Sequence, residues 1–151
     1  MKMASLVLAA FIGMLLPLQA LINAALGRQT FGPVFAALAS FAIGTIVLLL
    51  WWLASRPTFD LGALAKVPWW AWTGGVIGAV YVASATLLIP RMGAAALICL
   101  VVLGQIIGSL ALDHFGVLHP RQPVDVMKLA GAALVVVGAM LVVKPWQTHA
   151  G

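Results

Sequence analysis

The sequence predicts an all-α membrane protein whose five transmembrane helices form a bundle. Of its 151 residues, 64% are hydrophobic and only 7% are charged. A soluble domain carries roughly a quarter of its residues as charged side chains, so this chain cannot cover a soluble core with a polar surface. Its apolar residues fall into five runs, each close to the ~20 residues that cross the hydrocarbon core as a helix.

The first predicted helix covers residues 4–26 and ends at Gly27 and Arg28. Glycine followed by a basic residue is a typical signal for the end of a helix. Lys2 followed by an apolar stretch is also typical of a secretory signal peptide. The apolar run is longer than a signal core and contains a proline and two amides, so we interpret it as a retained helix.

The other four predicted helices end in similar signals, because a basic residue or an aspartate stands near glycine or proline at each boundary. They cover residues 33–54, 69–89, 94–112 and 127–143. The longest polar connection, residues 56–68, is too short to hold a soluble domain. We therefore expect one membrane domain over residues 1–151.

The distribution of basic residues predicts the orientation of the chain in the membrane only weakly. Five spans place the two chain ends on opposite sides of the membrane. The N-terminal side carries Lys2, Arg56, Lys66, Arg121 and Lys128, and the other side carries Arg28, Arg91 and Lys144. Five against three is a weak excess under the positive-inside rule. Two interpretations stay open: one orientation with a cytoplasmic N-terminus, or a dual topology in which both orientations are made.

Several classes of function do not fit the sequence. The net charge is +5, but the Lys and Arg residues stand singly and form no basic patch that would bind nucleic acid. The single cysteine, Cys99, lies inside an apolar run and predicts neither a disulfide nor a metal site. No set of nucleophile, base and orienting residue is visible, and no glycine-rich phosphate loop. We expect neither an enzyme, nor a cofactor, nor a bound metal.

Small residues at helical spacing predict where the helices pack. Helices in lipid associate through close contact at small side chains and through hydrogen bonds. Gly74 and Gly78 stand four residues apart in the third predicted helix, and Gly104 and Gly108 repeat this spacing in the fourth. We therefore predict helix packing at these four glycines.

Polar side chains inside the apolar runs are candidate substrate contacts. Gln19 and Asn23 lie one turn apart on one face of the first helix, and Gln105 and Ser109 repeat the spacing in the fourth. The predicted substrate-binding residues are Gln19, Asn23, Gln105, Tyr81, Ser40 and Ser109. One alternative is that the amides only join helices, at about 0.6 kcal/mol for each hydrogen bond. A polar cavity is favoured because polar groups in spans usually face the bundle interior or a water-filled path.

Asp113 and His114 end the fourth predicted helix, and two interpretations stay open. They form an interfacial cap, or they form a site that responds to protons or ions, because histidine changes its charge near neutral pH. His119 and His149 fall in a predicted loop and in the C-terminal tail, and we assign them no role.

The sequence resembles the YdcZ-like family of five-span bacterial inner-membrane proteins, in the drug/metabolite transporter superfamily. Four stretches carry the resemblance between Pro17 and Gly116: PLQALINAALGR, ALASFAIGTIVLLL, WWAWTGGVIGAVYVASATLLIPRMGAA and VVLGQIIGSLALDHFG. The resemblance implies a multi-pass transporter in the inner membrane. It also implies that this chain corresponds to one half of a fold that larger members of the superfamily build from two inverted repeats. Inverted repeats place the substrate site at their interface, so the implied partner is an inverted copy of the chain or a paralogous five-span subunit.

These observations predict a small-molecule transporter, an exporter, that acts as an antiparallel dimer by alternating access. Related small multidrug exporters use a glutamate in their first helix, whereas this chain has Gln19 and Asn23 there and no glutamate anywhere. Amides bind through hydrogen bonds, so we expect a small polar or anionic metabolite as substrate. Besides the substrate, the lipid bilayer and a second subunit are the predicted partners. The alternatives are a dual-topology ion channel and an accessory membrane subunit that does not transport.

Overall fold

A computed structural model describes residues 2–56, 58 and 60–144, and this part of the chain is helical without any strand. Its helices are α1 (Lys2–Gln29), α2 (Pro33–Ala54), the short α3 (Leu61–Ala65), α4 (Gly74–Met92), α5 (Ala94–Phe115) and α6 (Val126–Val143). A 3-10 turn at Trp69–Thr73 leads directly into α4. Five helices are long and apolar enough to cross a membrane, which confirms the predicted fold class. His149 lies outside the described residues.

Three helices extend further than predicted. Helix α1 continues through Gly27 to Gln29, and α4 continues through Pro90 to Met92. Membrane helices tolerate glycine and proline well, because neighbouring groups satisfy the backbone atoms that these residues leave free. Helix α5 ends at Phe115 and is capped by Gly116, whose φ of 67° is left-handed and typical of a glycine cap. Asp113 and His114 therefore lie in the last turn of α5.

Two of the three aspartates cap helices outside the apolar runs. Asp60 starts α3, and its Oδ1 accepts hydrogen bonds from the backbone N–H groups of Gly62 and Ala63, at 2.9 and 3.1 Å. Asp125 starts α6 and accepts from Lys128 N at 2.8 Å. A side-chain cap of this kind stabilises a helix by about 1 kcal/mol. These two carboxylates are therefore already engaged in local structure.

The chain divides after Arg91 into two compact units. In the first unit α1 packs against α2, and in the second α5 packs against α6. The buried apolar residues of the first unit are mostly alanines: Ala20, Ala24, Ala36, Ala37, Ala85 and Ile89. Small side chains let helices approach closely where water gives no hydrophobic driving force. That all residues form one membrane domain stays a prediction.

Replacing Gly116 with valine should destabilise the second unit. An added Cβ would lie 3.1 Å from the N, Cα and Cβ atoms of Arg121, and the backbone φ of +67° is unfavourable for a side chain. Overpacking costs about 1–3 kcal/mol, and a left-handed L-residue adds roughly 1–2 kcal/mol. We expect a melting temperature several degrees lower in detergent, measured by thermal unfolding.

Gly131→Val is the matched control, because a Cβ at Gly131 in α6 meets no atom within 4 Å. This control should unfold at close to the wild-type temperature. Equal melting temperatures for the two variants would contradict the observed cap at the end of α5.

Candidate functional site

Asn23 carries a buried side-chain donor that lacks a hydrogen-bond acceptor among the described residues. It lies in α1, is only 4% exposed, and its Nδ2 has no hydrogen-bond partner among the described residues. Leaving such a donor buried and unpaired costs about 1–3 kcal/mol. Native proteins rarely accept this cost without a water, an ion or a function that uses the group.

Three hollows surround this face of α1. The smallest, about 10 Å³, lies towards α4 and is lined by Gln19, Asn23, Tyr81 and Thr86, with room for about one water molecule. Two open grooves lie towards α2, with volumes of about 310 and 210 Å³. Gln19 and Ser40 line both grooves, and Asn23 lines the larger one. Gln19 therefore borders all three hollows.

Four of the six predicted substrate contacts line the three hollows around α1. Gln19 and Asn23 line the small hollow with Tyr81 of α4 and the larger groove with Ser40 of α2, so none of the three hollows contains all four. Their exposure differs: Asn23 is buried, Ser40 and Tyr81 are half-buried, and Gln19 is exposed. The amide pair thus has one member inside the protein and one member at an open surface.

The other two predicted contacts belong to the second unit. Gln105 and Ser109 lie on α5, and both side chains are exposed. The Ser109 hydroxyl donates to the carbonyl of Ile106 at 3.0 Å, so its donor is satisfied within its own helix. A substrate-binding role for these two residues stays a prediction.

Sequence reasoning missed two threonines that line the hollows. Thr86 of α4 is 2% exposed, and its hydroxyl donates to the carbonyl of Val82 at 2.8 Å. Thr45 of α2 lines the 210 Å³ groove together with Gln19. A threonine in a membrane helix usually bonds to its own backbone, so neither residue stood out. The spacing gave no signal for Thr86, because five residues after Tyr81 lies about 140° away around a helix.

A comparison with protein-family profiles matches residues 4–141 to the family described as "Putative inner membrane exporter, YdcZ". The chain belongs to the YdcZ family. Neither a curated protein nor a solved structure matches the chain. Membership confirms the resemblance and the inner-membrane location, and it makes this protein a membrane transporter of an exporter family rather than a member of an enzyme family.

The four glycines of the predicted packing faces differ in how close other helices come to them. At Gly78 an added Cβ would lie 3.4 Å from the ring of Phe41, so the Phe41 side chain of α2 reaches α4 there. At Gly74, Gly104 and Gly108 an added Cβ meets no atom within 4 Å. These three small surfaces contact nothing in the described residues, and their role in helix packing stays a prediction.

Asp113 is paired with His119 rather than with its neighbour His114. The His119 Nε2 atom lies 3.0 Å from Asp113 Oδ1, and His119 Nδ1 lies 2.8 Å from the carbonyl oxygen of Pro120. A carbonyl only accepts, so Nδ1 is the donor in the contact with Pro120, and Nε2 faces the carboxylate. The side chain of Arg121 donates from Nε to the carbonyl of His114 at 2.7 Å.

The pairing of Asp113 with His119 gives a loop histidine a partner that the sequence did not indicate. Both side chains are about one-third exposed, at 35% and 37%, so the pair contributes at most about 1 kcal/mol to stability. Whether Asp113 and His114 respond to protons or ions stays a prediction. Among the described residues, no group of three metal-ligating side chains is present.

Proposed function

We propose that this YdcZ-family protein exports a small polar or anionic molecule by alternating access, as an antiparallel dimer with a site lined by amides. One observation carries the proposal: the buried Asn23 Nδ2 has no partner among the described residues, and Asn23 lines one hollow with Gln19 and Tyr81 and another with Gln19 and Ser40. The proposed contacts are Gln19, Asn23, Ser40 and Tyr81, with Gln105 and Ser109 of α5 as further contacts.

The chemistry of the hollows supports hydrogen bonding over charge pairing with a cation. Gln19 and Asn23 offer N–H donors and carbonyl acceptors, and neither exchanges a proton at neutral pH. Among the described residues of α1 to α4, the one carboxylate is Asp60, which caps α3. A carboxylate-centred exchange of a proton for a lipophilic cation therefore has no residue to serve it in these helices.

The open shape of the two larger grooves supports a second subunit. Both grooves between α1 and α2 are open to the surface, and Gln19 is exposed in them. A site that holds a polar molecule inside a membrane must be closed towards the lipid. In the proposed dimer an inverted copy supplies the missing wall, as inverted repeats do in larger transporters. The weak charge bias between the two membrane sides is compatible with this arrangement.

The experiment is a thermal-shift screen of the purified protein against small polar and anionic compounds, followed by flux of the stabilising compounds into proteoliposomes. We expect saturable flux with a turnover below about 10³ per second, which is the usual range of a conformational cycle. Single-channel currents would identify an ion channel instead. Stable co-purification with a larger complex, without any flux, would identify an accessory subunit.

A further inference from the structure

A fourth hollow lies at the end of α1, next to the hollow that contains Asn23. It has a volume of about 120 Å³ and is lined by Arg28, by Pro33 at the start of α2, and by Thr86 and Pro90 of α4. Thr86 lines both this hollow and the small one beside Asn23. Asn23 and Arg28 are five residues apart, which is about 7.5 Å along a helix. The two hollows are neighbours that share Thr86 as a lining residue, and we refer to the pair as the α1–α4 cleft.

The outer end of this cleft carries the positive charge of Arg28, which forms no ion pair within the described part of the chain. Arg28 is exposed, and the one ion pair among the described residues is that of Asp113 with His119. Helix α2 begins at the same place, and its first residues have no side-chain cap. The N-terminus of a helix carries a partial positive charge, which adds to the charge of Arg28.

The inner end of the cleft offers a donor that needs an acceptor. Asn23 Nδ2 is buried without a partner, while the Thr86 hydroxyl already donates to its own helix. An oxygen atom of a bound molecule would satisfy Asn23. A molecule drawn to Arg28 and able to accept from Asn23 must carry negatively charged oxygen atoms.

A carboxylate fits this cleft better than a phosphate does. The cleft is lined mainly by apolar side chains, among them Ala20, Ala24, Ala85 and Leu87. Moving a charge into such surroundings is costly, and a single charge costs less than the two charges of a phosphate monoester. A planar carboxylate can also accept two parallel hydrogen bonds from a guanidinium group.

We infer that the α1–α4 cleft binds small organic carboxylates, with Arg28 attracting the anion and Asn23 Nδ2 donating a hydrogen bond to one of its oxygen atoms further inside. The inference rests on the proposed function, and it adds the substrate class and the end of the cleft at which the substrate enters.

The test measures thermal unfolding in nanodiscs of zwitterionic phosphatidylcholine. The probes are sodium acetate, lactate and benzoate, each compared with its neutral amide, and tetramethylammonium chloride controls for ionic strength. We expect at least one carboxylate to raise the melting temperature of the wild type more than its amide does. In Arg28→Gln, the carboxylate concentration that gives half of the maximal rise in melting temperature should increase about ten- to hundredfold, as for loss of a hydrogen bond to a charged group.

Two further variants separate charge from position. Arg28→Lys keeps the charge and should bind the same carboxylate within a few-fold of the wild type. Lys66→Gln removes an exposed charge at the end of α3, and its carboxylate binding should equal that of the wild type. The inference is overturned if no carboxylate exceeds its amide, or if Arg28→Gln and Lys66→Gln bind alike.

A lipid phosphate is the other source of negatively charged oxygen at this depth. If Arg28 serves only lipid, the carboxylates will have no effect, and anionic phosphatidylglycerol will raise the melting temperature of the wild type but not of Arg28→Gln. That result overturns the inference. The proposed function has a different test, because it predicts flux that depends on Asn23 for any class of substrate. The carboxylate inference alone fails if Arg28→Gln has no effect on carboxylate binding.

Discussion

Replacing Asn23 with leucine is expected to stop transport and, at the same time, to stabilise the empty protein. The wild-type side chain keeps an unpaired N–H donor in a buried position. Leucine is of similar size and has no polar group, so it removes a penalty of about 1–3 kcal/mol. We expect the melting temperature to rise by a few degrees and substrate flux to fall by about a hundredfold, as for the loss of a strong hydrogen bond.

The matched control for Asn23→Leu is Thr86→Val. Thr86 lies in the same small hollow and is as deeply buried, but its hydroxyl is satisfied by the carbonyl of Val82. Valine has nearly the same shape, so flux should stay within about twofold. If Asn23→Leu instead lowers the melting temperature and keeps normal flux, Asn23 is a structural link between helices.

Two variants fixed in opposite orientations are expected to be inactive alone and active together. Arg91→Gln with Lys144→Gln leaves five basic residues on the N-terminal side against one on the other, counted from the sequence. The positive-inside rule then favours a cytoplasmic N-terminus strongly. Without an inverted copy, the open grooves at Gln19 would have no opposite wall, and flux should fall below a tenth of the wild-type value.

The partner variant reverses the bias. Arg56→Gln, Lys66→Gln and Lys128→Gln, combined with Gln29→Lys, leave two basic residues on the N-terminal side against four on the other. This variant should also be inactive alone. Expression of both variants in one cell should restore flux to a large part of the wild-type value, with orientation checked by a reporter fused to the C-terminus. Normal flux from either variant alone would contradict the inverted dimer.

The features that depend on local sequence were predictable. Five apolar runs near the length of the bilayer core gave five spans, and a spacing of four residues placed Gln19 and Asn23 on one face of α1. Periodicity and composition act within a single helix, so no knowledge of tertiary packing was needed. Helix ends were less certain, because α5 passes Asp113 and stops only where Gly116 adopts a left-handed conformation.

The features that depend on tertiary contacts were not predictable. The spacing of the two amides does not predict that Asn23 is buried while Gln19 is exposed, because burial depends on which side chains of other helices surround each residue. The partner of Asp113 is His119, six residues further on, and the turn between them needs left-handed backbone at Gly116 and Leu118. A leucine with a positive φ is rare, so a leucine at this position does not predict a left-handed turn.

The most direct test of the central claim measures whether water reaches Gln19 from within the membrane. The background is Cys99→Ala, which removes the single native cysteine. Gln19→Cys is then compared with Leu21→Cys, which lies about 3 Å further along the helix and lines none of the hollows described around α1. A charged thiol reagent that does not cross membranes is applied to vesicles. A polar substrate cavity predicts at least tenfold faster labelling at position 19, and equal or slower labelling there would contradict it.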